Sequence, residues 1–244
     1  MRSQLLPARV DSRPAGWQSA AGEGRAIVAA RMSHEQQIID QFHDLYYRGR
    51  AGETEIYLRT RWMNVPCQKC PLDMWMYQEI LAEVRPQLVV ETGTYLGGSA
   101  LFIAQMFDLL GQGEVITIDI NSYAERPAHP RITYVQGSSS DAALITRLLA
   151  DRPDEVRMVV LDSDHSESHV REELALLAPY VTVGSYLIVE DTNVNGHPTL
   201  PEFGPGPYEA VTAFVAEHQE FVIDETRERF LMTFNPRGYL RRVR

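Results

Sequence analysis

The stretch LVVETGTYLGGS, Leu88 to Ser99, decides the fold. Leu88, Val89 and Val90 run into an acid, Glu91, then into a turn with Gly93, Gly97 and Gly98, and then into a helical pattern. A short apolar run bounded by glycine predicts a strand buried on both faces of a parallel sheet. Glycine lets the backbone take positive φ and approach a ligand closely. The amides at the mouth of the next helix favour a carboxylate or a phosphate, and the crevice after such a strand is where a nucleotide-like ligand sits. The spacing Gly93-Thr94-Tyr95-Leu96-Gly97-Gly98 is neither G-x-G-x-x-G nor a P-loop, which needs Gly-Lys-Ser/Thr. Taken alone, the turn could also serve only to let helix meet strand.

Downstream the alternation is regular. After the strand 88–91 the pattern predicts a helix over 98–109, with Ala100, Leu101, Ala104 and Phe107 on its buried face. Strands follow at 115–119, 132–135, 158–161 and 186–189, with helices between them and another near 208–218. Two closing strands are expected at about 220–224 and 229–234, joined by the charged turn Glu225 to Glu228. Strands alternating with helices imply right-handed βαβ units, hence an α/β, doubly wound Rossmann-like sheet. The closing pair adds a C-terminal antiparallel hairpin at one edge.

Upstream, residues 1–31 lack apolar periodicity and are expected to be a disordered leader, with no hydrophobic core of a secretory signal. Ser33 is expected to cap a helix over 33–47, with Ile38, Ile39, Phe42, Leu45 and Tyr46 as its apolar stripe. The aromatic, proline-punctuated segment from Thr60 precedes a helix from Asp73 to Val84 and could line a substrate mouth. The expected organisation is thus a leader (1–31), an N-terminal helical segment beside the mouth (32–86) and a ligand-binding α/β domain (87–244).

Composition narrows the class. A net charge of −10 argues against nucleic acid or an anionic membrane as the main partner. No apolar run reaches the length of a membrane helix. Cys67 and Cys70 are the only cysteines, too few for a four-ligand zinc site, and read as thiols of a reducing cytoplasm.

Four of the first five strands stop at acids: Glu91, Asp119, Asp162 and the pair Glu190-Asp191. Any one could be a helix cap; together they crowd negative charge along the ligand-binding edge and call for a cation or hydrogen-bond donors. Asp119 stands where a ribose-binding acid belongs, and a carboxylate can accept from both ribose hydroxyls, in NAD as in other adenosines. Ser138, Ser139 and Asp141 fall where the adenine edge would lie. Asp162, Glu190 and Asp191 make an all-oxygen set suited to Mg²⁺, with Asn193 nearby and Asp164 left aside. His165 is the natural base, because imidazole accepts a proton near neutral pH. His169 could flank it, and His197 lies in a loop that could reach over the site. The Pro- and Gly-rich run 199–207 reads as a substrate lid or a plain surface loop.

These motifs carry a resemblance. From about Trp62 onward the chain resembles the cephalosporin hydroxylase family through VVETGTYLGGSALF, VITIDI, VLDSDHS, YLIVEDTNVNGHP and FGPGP. These are metal-dependent and S-adenosylmethionine (SAM)-dependent O-methyltransferase folds that include sugar O-methyltransferases of natural-product pathways. More distantly it is similar to catechol O-methyltransferases, through Glu91-x-Gly93-x-Tyr95-x-Gly97-x-Ser99. The resemblance implies a class I SAM methyltransferase fold. Glu91 would accept from the methionyl ammonium, and Gly93, Tyr95, Ser99, Asp119 and Ser139 would complete the SAM site, with Thr94, Ser138 and Asp162 as further candidates beside them. Mg²⁺ would lie on Asp162, Glu190 and Asp191, and His165 would stand where catechol-type enzymes place a lysine base. The expected activity is Mg²⁺-dependent methyl transfer from SAM to a hydroxyl of a small molecule, a sugar or glycosylated natural product, by a cytoplasmic homo-oligomer. The alternatives are a non-haem iron hydroxylase built on Asp162, His165 and a further histidine, and a non-catalytic subunit that binds SAM for stability.

Overall fold

The computed structural model describes residues 33–51, 54–152 and 155–244. The expected leader, 1–31, lies outside the described residues. The chain divides into two units, residues 1–41 and 42–244. Of the first, residues 33–41 are described, and all are helical. The helix α1 runs over 33–48. Its expected stripe is largely not the buried one: Ile38, Phe42 and Leu45 are exposed, whereas His43 is buried and Tyr46 and Tyr47 are half-buried. The inward face thus carries polar tips, which hydrophobic periodicity does not register.

In the second unit, two short two-stranded ladders, Arg50–Ala51 with Thr54–Glu55 and Arg61–Trp62 with Val65–Pro66, precede the helix α2, Pro71–Val84. Then come β1 (Leu88–Thr92), α3 (Gly98–Leu110), β2 (Glu114–Asp119), β3 (Ile132–Gln136) and α4 (Ala142–Leu149). They are followed by β4 (Arg157–Leu161), α5 (Glu167–Leu177), β5 (Tyr186–Val189), α6 (Pro207–Glu217), β6 (Phe221–Ile223) and β7 (Tyr239–Arg242). The strands form one seven-stranded sheet in the order β6-β7-β5-β4-β1-β2-β3. β1 to β5 are parallel, and β7 inserts antiparallel between β5 and β6.

The sheet is covered on both faces, which is why its strands read as continuous apolar runs rather than alternating ones. Val90, Ile116, Val159, Leu161 and Leu187 pack on one side with α4, α5 and α6. Val89, Val115, Val160 and Ile188 pack on the other with α2 and α3. This is the expected doubly wound architecture. No helix among the described residues is long and apolar enough to cross a membrane.

The expected strand at 229–234 is a correction. A 3₁₀ turn at Glu225–Glu228 ends β6's connection, and the partner of β6 is β7, at Tyr239–Arg242. Met232 and Phe234 are buried as a strand would be, but they pack with Cys70, Leu72 and tyrosines in a separate cluster. Asp73 explains the excursion. From α2 its buried carboxylate accepts from the Thr233 hydroxyl (2.5 Å), the Phe234 N–H (2.8 Å) and the Tyr239 hydroxyl (2.9 Å). The segment then meets the loop after β5: the Asn235 side-chain oxygen accepts from the Asp191 N–H at 3.2 Å, and the Phe234 carbonyl from the Asn193 N–H at 3.2 Å. Asp73 therefore helps fix the backbone that carries Asp191.

Asp73→Ala should cost about 3 kcal/mol in urea unfolding, since it strands three buried donors. Burial pushes the Asp73 carboxyl up to about 7, against the hydrogen bonds from Thr233 and Phe234. A folded value above the unfolded one, about 3.9, makes this group's contribution largest at low pH and lost as pH rises through 7. Asp73→Asn, which cannot ionise, should flatten that part of the stability–pH profile; an unchanged slope would contradict the assignment.

Candidate functional site

The site begins with β1. Behind it the chain turns through Gly93 at φ +82° and Gly97 at φ +81°, and Gly98 opens α3. Gly93 is required by contact as well as by torsion: a Cβ there would fall 1.7 Å from the carbonyl oxygen of Asp162. The glycine loop and the end of β4 thus touch backbone to backbone. A Cβ on Gly98 would meet the Pro66 carbonyl oxygen at 2.2 Å, so the segment before α2 also closes on this loop. Together they border a cleft of about 610 Å³ at the carboxyl edge of the sheet. Four non-glycine residues on its wall, Gln68, Tyr95, Asp191 and Leu200, have positive φ (56°, 47°, 52° and 46°). Such strain persists where the surroundings over-determine it, commonly at functional sites.

At one end, Asp119 closes β2. Its carboxylate accepts from the Tyr95 N–H (2.8 Å), the Asn121 N–H (2.8 Å) and Arg126 Nη2 (3.1 Å). Arg126 also donates to the Tyr95 carbonyl at 2.8 Å, stitching the loop after β2 to the glycine loop. Gly93, Thr94, Tyr95, Ser99, Ser138 and Ser139 line this part of the cleft. Ser139 Oγ lies 3.2 Å from His169 Nε2, which is 3.0 Å from Ser163 Oγ and 3.6 Å from the buried Glu173. The bond to Glu173 raises the His169 pKa. Asp141 instead caps α4, accepting from the N–H groups of Ala143 and Leu144.

Glu91 departs from expectation. It is wholly buried behind the loop and does not line the cleft; it borders a small void with Lys69, Tyr77, Ser99 and Glu190. Oε2 accepts from the Thr117 hydroxyl at 2.7 Å, and Oε1 has no hydrogen-bond partner. Burial raises the Glu91 pKa, opposed by the charge of Lys69.

In the middle of the cleft, Asp162, His165 and Asp191 converge, with one ligand atom of each within 4.8 Å of the others. His165 Nε2 is 3.3 Å from Asp191 Oδ2, and the Tyr47 hydroxyl lies 3.5 Å from Asp191 Oδ1. Glu190 is not among them. Its Oε1 pairs with Lys69 Nζ at 2.6 Å and accepts from the Tyr77 hydroxyl, and Lys69 also pairs with Asp162 Oδ2. The three expected acids are therefore divided: Asp162 and Asp191 face the cleft with His165, while Glu190 is held in the interior by a buried ammonium. Burial pushes the carboxyls of Asp162 and Glu190 up, to about 6 and about 7, with Lys69 opposing. Burial works against the charge on Lys69 too, but Asp162 and Glu190 outweigh it and raise its pKa.

The remaining candidates serve the scaffold. Asp164 lines the cleft but accepts from the Ser166 N–H at 2.8 Å. His197 stacks on Tyr208 at 3.6 Å and lies 2.9 Å from Glu209, which anchors the loop before α6. Asn193 is buried, 2.9 Å from His43. Cys67 and Cys70 are free and buried, with thiol pKa values pushed up by burial.

Lys69, Tyr47, Tyr57 and Arg126 escaped the sequence reading. For Lys69 a signal existed: of the 23 Lys and Arg residues, it is the only lysine. A compact ammonium fits between two carboxylates where a planar guanidinium does not.

The donors suit the groups expected here. Glu91 retains an orphaned buried oxygen, and two carboxylates with an imidazole form a cation-ready set. Comparisons place the chain accordingly. The family profile described as Rhamnosyl O-methyltransferase/CmcI matches residues 54–243. The Rhamnosyl O-methyltransferase of Mycobacterium tuberculosis (strain ATCC 25618 / H37Rv) is 41% identical over 212 residues, covering 83% of this chain and 84% of that protein. That of Mycobacterium leprae (strain TN) is 42% identical over 211 residues, covering 83% and 90%. A solved CmcI structure described as holding Mg and SAM superposes with a TM-score of 0.60 at 22% identity, covering 80% of this chain and 81% of that one, and so shares the fold. The chain belongs to the rhamnosyl O-methyltransferase/CmcI family.

Proposed function

We propose that this protein is a Mg²⁺-dependent enzyme that moves the methyl group of SAM to a hydroxyl of a sugar, carried on a glycosylated natural product. The observation that carries the reading is the convergence of Asp162, His165 and Asp191 in the same cleft as the glycine loop and Asp119. The names of relatives sharing about two fifths of the sequence supply the sugar. A hydroxylase with two histidines and one carboxylate on iron is disfavoured, because the group has one histidine and two carboxylates.

When bound, SAM supplies a methyl on a positively charged sulfur; the oxygen–carbon bond forms as the carbon–sulfur bond breaks, leaving a neutral thioether. Mg²⁺ would be held by Asp162 and Asp191 and would act as a Lewis acid towards the acceptor hydroxyl. Glu190 could join them only by leaving Lys69 and Tyr77. Asp119 would accept from the ribose hydroxyls, and Ser138 and Ser139 would border the adenine. Glu91, one shell behind the loop, would set the charge felt at the methionyl end through Thr117 and Thr94, whose hydroxyls lie 2.7 Å apart. His165 would take the hydroxyl proton, oriented by Asp191. The glycine loop, pressed on Asp162, would hold the donor against the acceptor, the alignment that supplies much of such a rate enhancement.

Asp119→Ala should weaken SAM binding by about 2 kcal/mol, since it removes a charged acceptor at the ribose position and unties Tyr95 from Asn121. Calorimetry with wild-type affinity would remove Asp119 from the cofactor site.

EDTA should abolish turnover and Mg²⁺ or Mn²⁺ restore it, and Asp191→Asn should lose most Mn²⁺ affinity while still binding SAM. His165→Ala should lower kcat by roughly 10² or more while Mn²⁺ binding survives, as befits a base. Loss of Mn²⁺ binding in that variant would make His165 a ligand instead. Full turnover by chelated enzyme would defeat the metal reading.

A further inference from the structure

The helix after β4 carries a polar group to which methyl transfer gives no task. His169 and Glu173 stand one turn apart on α5, hence on one face, beside Val170 and Leu174, which pack into the core. Glu173 is wholly buried, and its Oε2 has no hydrogen-bond partner. Its Oε1 accepts from the Ser163 hydroxyl at 2.7 Å. His169 Nε2 lies 3.0 Å from that same Ser163 oxygen, 3.2 Å from Ser139 Oγ and 3.6 Å from Glu173 Oε1. Side chains from the loops after β3 and β4 and from α5 thus meet around one ring nitrogen.

Counting hydrogens fixes the direction of each bond. A carboxylate only accepts, so the single hydrogen of the Ser163 hydroxyl is committed to Glu173. The Ser163 oxygen can then only accept from His169, which requires a hydrogen on Nε2, whether or not Nδ1 also carries one. A protonated ring nitrogen has no lone pair in the ring plane, so Ser139 cannot donate to it. The hydrogen of Ser139 is therefore turned away from His169, and the open side is the cleft, which both residues line. Ser138 differs. Its oxygen is 2.9 Å from Ser140 Oγ and accepts from the Ser140 N–H at 3.3 Å, so it is engaged within its own turn.

Resting on the placement of the nucleoside along Asp119 and Ser139 given above, we propose that the Ser139 hydroxyl reads the adenine of SAM as a donor to the ring nitrogen N1, and that His169, set by Ser163 and Glu173, is the positioning residue that fixes this polarity. Adenine offers an acceptor at N1, whereas hypoxanthine carries a hydrogen there, so a committed donor separates the two bases. A site built to hydrogen-bond one group rejects an analogue that cannot answer it far more strongly than a site that sorts by size. The device is separate from the proposed cation site: neither His169 nor Glu173 belongs to the group of Asp162, His165 and Asp191.

Calorimetry on the full chain with Mg²⁺ present compares S-adenosylhomocysteine with S-inosylhomocysteine, which differ in the base alone. The wild type should bind the adenosyl compound roughly tenfold or more tightly. Ser139→Ala should lose most of that preference. His169→Leu frees the Ser139 hydroxyl to accept as well as donate, so it should bind the inosyl compound more tightly than the wild type does, a gain that a damaged fold does not produce. His169→Gln, which returns an N–H at similar reach, should restore the preference. Heteronuclear NMR of histidine-labelled wild type, with the His169 signal identified by its loss in His169→Gln, should show the hydrogen on Nε2 through the neutral pH range. That measurement stands even where His169→Leu does not fold. Equal wild-type affinities, a ring protonated at Nδ1 alone, or a preference that His169→Leu keeps in full would overturn the proposal while S-adenosylhomocysteine still binds. Failure of the wild type to bind S-adenosylhomocysteine, or wild-type affinities for both compounds in Ser139→Ala, would overturn the placement of the nucleoside beneath it.

Discussion

The structure depends on one buried ammonium. Parallel strands that end in carboxylates bring like charges together at the edge where a ligand must bind, and they need a counter-charge. Lys69 supplies it from the segment before α2, pairing with Asp162 at the end of β4 and Glu190 at the end of β5. Removing one partner of such a pair leaves an uncompensated buried charge, which costs far more than a surface contact. The pairing also pins the chain between the Arg61–Pro66 ladder and α2 to the sheet, so Cys67 and Gln68 border the cleft. Charge neutralisation and the shape of the site are one feature.

Much of the fold was legible because both faces of a parallel sheet are buried. The apolar runs of the central strands, Leu88–Val90, Met158–Leu161 and Tyr186–Val189, show it, and the glycine turn after Glu91 marks where the first strand meets its helix. The end of the chain was not. Met232 and Phe234 have the composition of a strand, yet Asp73, some 160 positions away, draws Thr233 and Phe234 aside and leaves pairing to Tyr239–Arg242. A partner so distant leaves no local trace. The α1 stripe failed for a different reason, since its inward face is histidine and tyrosine.

The site was legible as a set of residues and less so as a geometry. Alternation along the strands explains the gap. Val89, Val160 and Ile188 face α2 and α3, and two residues on, Glu91, Asp162 and Glu190 continue towards that side. That side is where Lys69 waits, so Glu190 joins it, Asp162 bridges it and the cleft, and Glu91 sits behind the loop. Asp191, one residue out of phase and with φ at 52°, turns to His165. Knowing that these acids shared an edge could not separate them; the position of the only lysine could.

On the proposed reading, one cleft would hold the methyl donor and the divalent cation side by side. Diffraction from crystals grown with Mn²⁺ and S-adenosylhomocysteine, collected at the manganese edge, tests this most directly. The anomalous peak should lie about 2.1 Å from carboxylate oxygens of Asp162 and Asp191, the distance typical of small hard divalent cations. The adenosyl group should lie along Asp119 and Ser139, with Lys69 still buried on Asp162. A cation bound away from Asp162 and Asp191, or a nucleoside outside the Asp119 end, would contradict it.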